Sequence, residues 1–211
     1  MTFSGHIGVG QQAPEFQLPA ADREGIVSLA QYRGKSPVLL ALFRGLYCPF
    51  CRRQIAQLSD VADRLRAVGI ETVGVVATAA ERARFYFRLR PLRYAIGADP
   101  DLITHRAYVL PVMERNDEAG EMVERAAQRL ARELNIEAPP GQGRAFVDSA
   151  DGFTRLDSDS ADRLRHQIQL IGQFLIDRDG VIRWCRIEDR FSYAVFPSTE
   201  EWESLAKRWV S

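Results

Sequence analysis

The 211 residues predict an α/β fold, and three features carry that prediction. Short apolar runs have the look of strands buried on both faces, apolar residues between them recur at helical spacing, and a β-rich hairpin pattern stands near the end of the chain. The length suits a single domain over 1–211, with an insertion at about 111–170 that breaks the rhythm.

Taken in order, residues 1 to 36 are rich in turn formers, with Pro14 and Pro19 among alternating apolar and polar positions. They predict edge strands and a short helical turn. "PVLLALF" (37 to 43) is a continuous apolar run and predicts a strand buried on both faces. From Cys51, the residues Ile55, Leu58, Ala62 and Leu65 mark a helix, with Gly69 placed for a left-handed C-terminal cap. "IETVGVVAT" (70 to 78) predicts a second strand and "AAERARFYFRLR" a helix, so the first two strands should lie parallel with a right-handed crossover. "YAIGADP" reads as a third strand and "DLITHRAYV" as a short helix. Within 111–170 one helix is expected near Glu118 to Leu134, supported by Val123, Ala127 and Leu130 on one side and a Glu121–Arg125 pair. The polar, acidic stretch "VDSADGFTRLDSDSADR" is expected to be an exposed loop. "IGQFLIDRDGVIRWCRIE" predicts a hairpin turning at Gly180, and "STEEWESLAKRW" a closing helix with a Ser198–Glu201 capping box.

Composition excludes some partners. Lysine plus arginine equals aspartate plus glutamate at 28 each, so no overall field draws the chain to nucleic acid or an anionic membrane. "MTFSGHIGVG" lacks the basic and apolar regions of a signal peptide, and "PVLLALF" is far short of a membrane span. The expectation is a soluble, unprocessed, cytoplasmic protein with no nucleic-acid or membrane partner. "GVGQQA" and "GKS" lack the strand, helix and glycine context of nucleotide-binding loops. The arginines at 82, 84, 88, 90 and 93 read as a solvated face over a Phe85, Leu89 and Leu92 core stripe.

The chemistry centres on "FRGLYCPFCRRQ". A strand feeding a helix through C-x-x-C puts the first sulfur at the helix N-terminus, where unpaired N–H groups and the macrodipole favour an anion. Cys48 is therefore the expected thiolate, and such placement can bring a thiol from ~8.5 to ~3.5–7.5. Pro49 suits the first turn, and Cys51 lies about one turn on, within bridging distance. Arg44, preceding the turn, is expected to face the sulfur, whereas Arg52 and Arg53 lie inside the helix and point to solvent. The alternatives for the pair are two inert buried cysteines or half of a zinc site. The strand-to-helix position favours redox chemistry. Zinc would need ligands from Cys185, His6, His105 or His166, none in a second paired motif, so no metal and no cofactor are expected. Cys185 reads as a half-buried structural cysteine.

With these residues in place, the chain resembles the thioredoxin-fold peroxiredoxins, specifically the peroxiredoxin-like branch of the alkyl hydroperoxide reductase and thiol-specific antioxidant (AhpC/TSA) superfamily. The resemblance runs through "VGQQAPEFQLPAADREGIVSLAQYRGK", "PVLLALFRGLYCPFCRRQIAQL", "GADPDLITHRAYVL" and "GQFLIDRDGVIRW". It implies a thioredoxin-like fold: a central mixed sheet flanked by helices, an N-terminal β-hairpin extension and a helical insertion before the C-terminal hairpin. It also implies that Cys48 attacks a hydroperoxide and Cys51 resolves it, with a thioredoxin or glutaredoxin system as external thiol reductant and a homodimer as the assembly. Three positions depart from the family pattern: Ala41 replaces a proline, Gly45 a threonine, and Ile171 an arginine.

The leading expectation is a thiol-dependent peroxidase using Cys48, Cys51 and Arg44. The first alternative is a thiol-disulfide oxidoreductase whose protein substrate contacts Tyr47 and Phe50. The second is a metal-binding or interaction module with His105 as third ligand.

Overall fold

The computed structural model describes residues 7–210. An antiparallel ribbon opens it, β1 (Gln17–Pro19) with β2 (Ile26–Ser28), followed by a 3-10 turn at Leu29–Gln31. Then come β3 (Val38–Phe43), α1 (Pro49–Ala67), β4 (Glu71–Val76), α2 (Ala80–Phe87), β5 (Ala95–Ala98) and α3 (Ile103–Ala107). The next stretch carries β6 (Val112–Met113), α4 (Asp117–Glu133), α5 (Gly143–Asp148), α6 (Asp157–Arg165) and β7 (Ile168–Gln169). The hairpin β8 (Gly172–Ile176) and β9 (Ile182–Ile187) returns the chain to the sheet, and α7 (Thr199–Val210) closes it.

Strands run in the order β5-β4-β3-β8-β9. β3, β4 and β5 are parallel, while β8 is antiparallel to both β3 and β9, which makes the sheet mixed. β3 is central and buried along its whole length. Its alternating side chains split between two cores: Leu39, Ala41 and Phe43 join α1, and Val38, Leu40 and Leu42 join Tyr108, Phe174 and the N-terminal ribbon. A strand covered on both faces must be apolar throughout, which is why this run does not alternate. Gly69 follows α1 at φ 82° and Gly180 turns the hairpin at φ 80°, conformations open to glycine at little cost. At the last helix the Ser198 N–H donates to Glu201 at 2.6 Å and the Glu201 N–H to Ser198 Oγ at 3.2 Å, closing the expected capping box. Among the described residues no helix is long and apolar enough to cross a membrane.

Two expectations are corrected. The polar stretch read as an exposed loop contains the end of α5 and most of α6, and β6 pairs with β7 beside it. Its acids are not all solvated. Asp159 is buried and accepts from Arg82 Nη2 at 2.8 Å and from the Leu156 N–H at 2.8 Å, so polar composition here reflects ion pairs with a neighbouring helix. On α2 the buried residues are Ala83, Tyr86 and Phe87, whereas Phe85 and Leu89 are exposed. The helix stops at Phe87, so the spacing that linked Phe85 to Leu89 and Leu92 does not continue.

The Arg82–Asp159 pair joins α6 to α2. Removing the carboxylate leaves a nearly buried guanidinium unpaired, a change that costs ~3–5 kcal/mol. Asp159→Ala should lower the urea midpoint accordingly, while Asp157→Ala, at an exposed position on the same helix, should move it little.

Candidate active site around Cys48

After β3 the chain turns through residues 44–47 and enters α1 with Cys48 as the N-cap, in extended conformation at φ −98° and ψ 111°. The Cys48 N–H donates to the Gly45 carbonyl at 3.0 Å, and its own carbonyl accepts the Arg52 N–H at 3.1 Å. Pro49 fills the first helical position, where its missing N–H costs no helical bond. The Leu46 N–H donates to Thr78 Oγ1 at 2.9 Å and ties the turn to the end of β4.

Two departures from the family pattern have local causes. A Cβ at Gly45 would lie 2.6 Å from both the Ala77 carbonyl oxygen and the Tyr47 ring, so a side chain has no room there. Ala41 pairs with β4 on one side and β8 on the other. A proline in so central a strand would remove a ladder bond. At the third, Ile171, the side chain is buried in the core and the backbone N–H donates to Glu188 Oε2 at 3.2 Å.

Both sulfurs are reduced and buried, with Cys48 4 % exposed and Cys51 0 %. Arg44, equally buried, sets its Nη1 3.6 Å from each sulfur. The rest of its guanidinium is committed: Nε donates to the Gln169 carbonyl, Nη2 to Glu188, and the plane lies 4.4 Å from the centre of the Tyr193 ring. Burial works against ionisation of Cys48, yet the neighbouring Cys51 thiol and the Arg44 charge outweigh it and hold Cys48 well below the ordinary thiol range. Burial and the adjacent Cys48 push Cys51 well above that range. One thiolate and one thiol result. Burial raises the Glu188 carboxyl in spite of Arg44. Every donor around it favours the carboxylate, however, including the Ala194 N–H at 2.6 Å, and that is the form we assign at neutral pH.

A cavity of about 20 Å³ lies against Cys48, walled by Arg44, Tyr47, Phe50, Arg115, Arg144 and Tyr193 among others. Tyr47 and Phe50 are buried, so they line this cavity and do not form an outer face for a protein substrate. The Tyr47 hydroxyl stands 3.5 Å from His166 Nδ1, whose ring also bonds the Pro100 carbonyl at 2.7 Å. Arg52, expected in solvent, is buried: Nη1 donates to the Leu46 carbonyl at 2.8 Å, Nε to Asp151 at 2.7 Å, and the guanidinium stacks 3.9 Å from the Phe153 ring centre. Its stem runs toward the insertion because acids wait there. Arg53 is partly exposed and lies 3.6 Å from Glu133. A larger cavity of about 670 Å³ runs along the outer side of α1, but neither sulfur lines it.

His105, the candidate third ligand, is committed elsewhere, with Nε2 donating to the Phe43 carbonyl at 3.0 Å. Among the described residues no three His, Cys, Asp or Glu side chains converge as a metal site; His6 lies outside them. Cys185 is half-buried on β9. Glu188 and Tyr193, which hold Arg44, are among the site residues that sequence reading missed. They stand 144 and 149 residues beyond Arg44, and neither sits in a recognisable motif.

Residues 9–185 match the AhpC/TSA family. Among solved structures, the chain is similar to a protein from Chlorobium tepidum described as thiol:disulfide interchange protein DsbE, at 18% identity and TM-score 0.57 over 97% of this chain and 98% of that one. It is similar to peroxidoxin BcpB from Mycobacterium tuberculosis at 14% identity and TM-score 0.59, covering 97% of both chains. The reduced 2-Cys peroxiredoxin of Plasmodium vivax gives 16% identity and TM-score 0.60 over 94% of this chain and 80% of that one. These likenesses show the thioredoxin-like fold. No curated protein sequence matches the chain.

The charge arrangement is measurable. Thiolate absorbance of the reduced protein should titrate well below the ordinary thiol range in the wild type and in Cys51→Ser, and not at all there in Cys48→Ser. Because the folded value is depressed, the stabilisation from this ionisation is complete above the unfolded thiol value and is lost as pH falls through the folded one. An unchanged Cys48 titration in an Arg44→Met/Glu188→Gln double variant would deny the guanidinium its role.

Proposed function

The chain belongs to the AhpC/TSA family, and from that premise we propose that it is a thiol-dependent peroxidase acting through Cys48 and Cys51. The observation that carries the reading is the Arg44 guanidinium set 3.6 Å from both buried sulfurs beside a cavity of only about 20 Å³. That volume is little more than a water molecule needs. It suits the two oxygens of a hydroperoxide group and is far too small for the disulfide of a folded protein.

In the proposed cycle the Cys48 thiolate attacks one peroxide oxygen along the O–O axis. The S–O bond forms and the O–O bond breaks; sulfur is oxidised to the sulfenic acid and the departing oxygen leaves as alkoxide or hydroxide, which takes a proton. Arg44 donates toward the charge that develops on the oxygens. It supplies from the end of β3 the guanidinium that the family pattern would place at position 171. Glu188, the Gln169 carbonyl and Tyr193 hold it in place and act as positioning groups. The Cys51 thiol then attacks the sulfenic sulfur, releasing water and leaving a disulfide, and an external dithiol of the thioredoxin or glutaredoxin kind reduces it.

Stopped-flow mixing of reduced protein with hydrogen peroxide, read with intact mass, tests this. The expected result is stoichiometric oxidation, a trappable sulfenate in Cys51→Ser, and a second-order rate constant that falls ~10²–10³-fold in Arg44→Met/Glu188→Gln. A rate no better than a free thiol, together with reduction of insulin disulfides, would move the assignment to thiol-disulfide interchange.

A further inference from the structure

Next to the Cys48 cavity lies a second, wider one of about 370 Å³ that opens to the surface. The two share Arg115, Val123, Arg144 and Ile168 as wall residues, so the outer chamber adjoins the inner one. Arg163 completes the outer wall. The three arginines come from three places in the insertion: ahead of α4, on α5 and on α6. Nothing local in the sequence groups them; the fold does.

Around the thiol cavity the neighbouring arginines Arg44, Arg52, Arg53 and Arg155 each meet an acid. Among the described residues no carboxylate oxygen comes within 4.0 Å of the Arg115, Arg144 or Arg163 guanidinium. Arg115 is fixed by backbone alone, its Nη2 donating to the carbonyls of Arg163 at 2.7 Å and Gln167 at 2.9 Å. The buried Nε atoms of Arg115 and Arg163 have no acceptor. Burial and the mutual proximity of these cations, with Arg155 behind them, bring Arg163 down to about 10, and burial together with Arg144 lowers Arg115. Two acids line the outer chamber, Asp117 and Glu124. Glu124 is already engaged by the Gly143 N–H at 2.5 Å, the Arg144 N–H at 3.2 Å and Gln128 at 3.1 Å, and no carboxylate lines the inner cavity.

Crowded cations with unmet donors, at the mouth of a reactive cavity, form a site for an anion. We infer that Arg115, Arg144 and Arg163 select organic hydroperoxides that carry a carboxylate, the acid resting on the arginines, the carbon body against Val123 and Ile168, and the hydroperoxide group in the inner cavity beside Cys48. The chamber volume lies within the range of small-molecule sites, ~300–1,000 Å³. The inference rests on the peroxidase reading for its reaction, whereas its anion site is testable without it.

The test uses reduced full-length protein and two peroxides that differ in one charge, 4-(2-hydroperoxypropan-2-yl)benzoate and its methyl ester. In the wild type the acid should react ~10-fold faster than the ester at low ionic strength, with the advantage shrinking as salt is added. The acid-to-ester ratio should fall to ~1 in Arg144→Gln and in Arg163→Gln. Equal rates for acid and ester in the wild type would overturn the inference and leave the peroxidase standing. Where neither organic peroxide reacts while hydrogen peroxide does, the inference is overturned and the peroxidase stands; where hydrogen peroxide fails as well, the peroxidase reading fails, and calorimetry with the unreactive alcohol 4-(2-hydroxypropan-2-yl)benzoate decides the site alone. Saturable binding lost in Arg163→Gln upholds the site, and absence of binding to the wild type overturns it.

Discussion

The buried contact of Arg44 with Glu188 and the two sulfurs is the constraint around which the rest is arranged. Taking such ions out of water costs several kcal/mol each and is tolerated only when their hydrogen-bonding capacity is met. The partners of Arg44 come from distant segments, and the sheet order brings them together. β3 pairs antiparallel with β8, Leu42 opposite Gly172, and β8 with β9, Gly172 opposite Ile187. Consequently the end of β3, the start of β8 and the end of β9 meet at one edge, where Arg44, Gln169 and Glu188 stand. The end of β4 arrives at the same edge and holds the cysteine turn through Thr78. A different strand order would leave a charge in the core without its partner.

How much of this could be read from the sequence depended on whether the information was local. The two-face burial of 37–43, the glycine after α1 and the capping box at Ser198 each depend on neighbouring residues only, and each was legible. So was the placement of Cys48 at a helix start, because a strand, a turn and Pro49 suffice to predict it. Arg44 was expected at the sulfur for a similar reason, being separated from Cys48 by a single turn. Glu188, Tyr193 and the acids that hold Arg52 were not legible. Their partners lie roughly a hundred or more residues away, and a lone glutamate ending a strand looks like any solvated one. Polar composition was the misleading signal in 147–163, since acids that serve buried arginines are indistinguishable in sequence from acids that serve water.

The segment 111–170 is more than a connection between strands. α4 contributes Val123 to the wall of the thiol cavity, α5 contributes Arg144, and the segment between α5 and α6 receives Arg52 from the first turn of α1. The same helix start that lowers the thiol therefore also anchors the cover over it. This coupling gives the segment a physical reason to be ordered despite its composition.

The charge count within the core has one more consequence. With Cys48 ionised, the inner cluster holds Arg44 against two anions, the thiolate and Glu188, and so carries one unbalanced negative charge in a water-poor interior. Oxidation to a disulfide would discharge it, leaving a single matched pair. On this count the fold bears its heaviest electrical load while armed and relaxes when spent, and the unpaired cations at the mouth of the cavity become counterweights to a charge waiting inside.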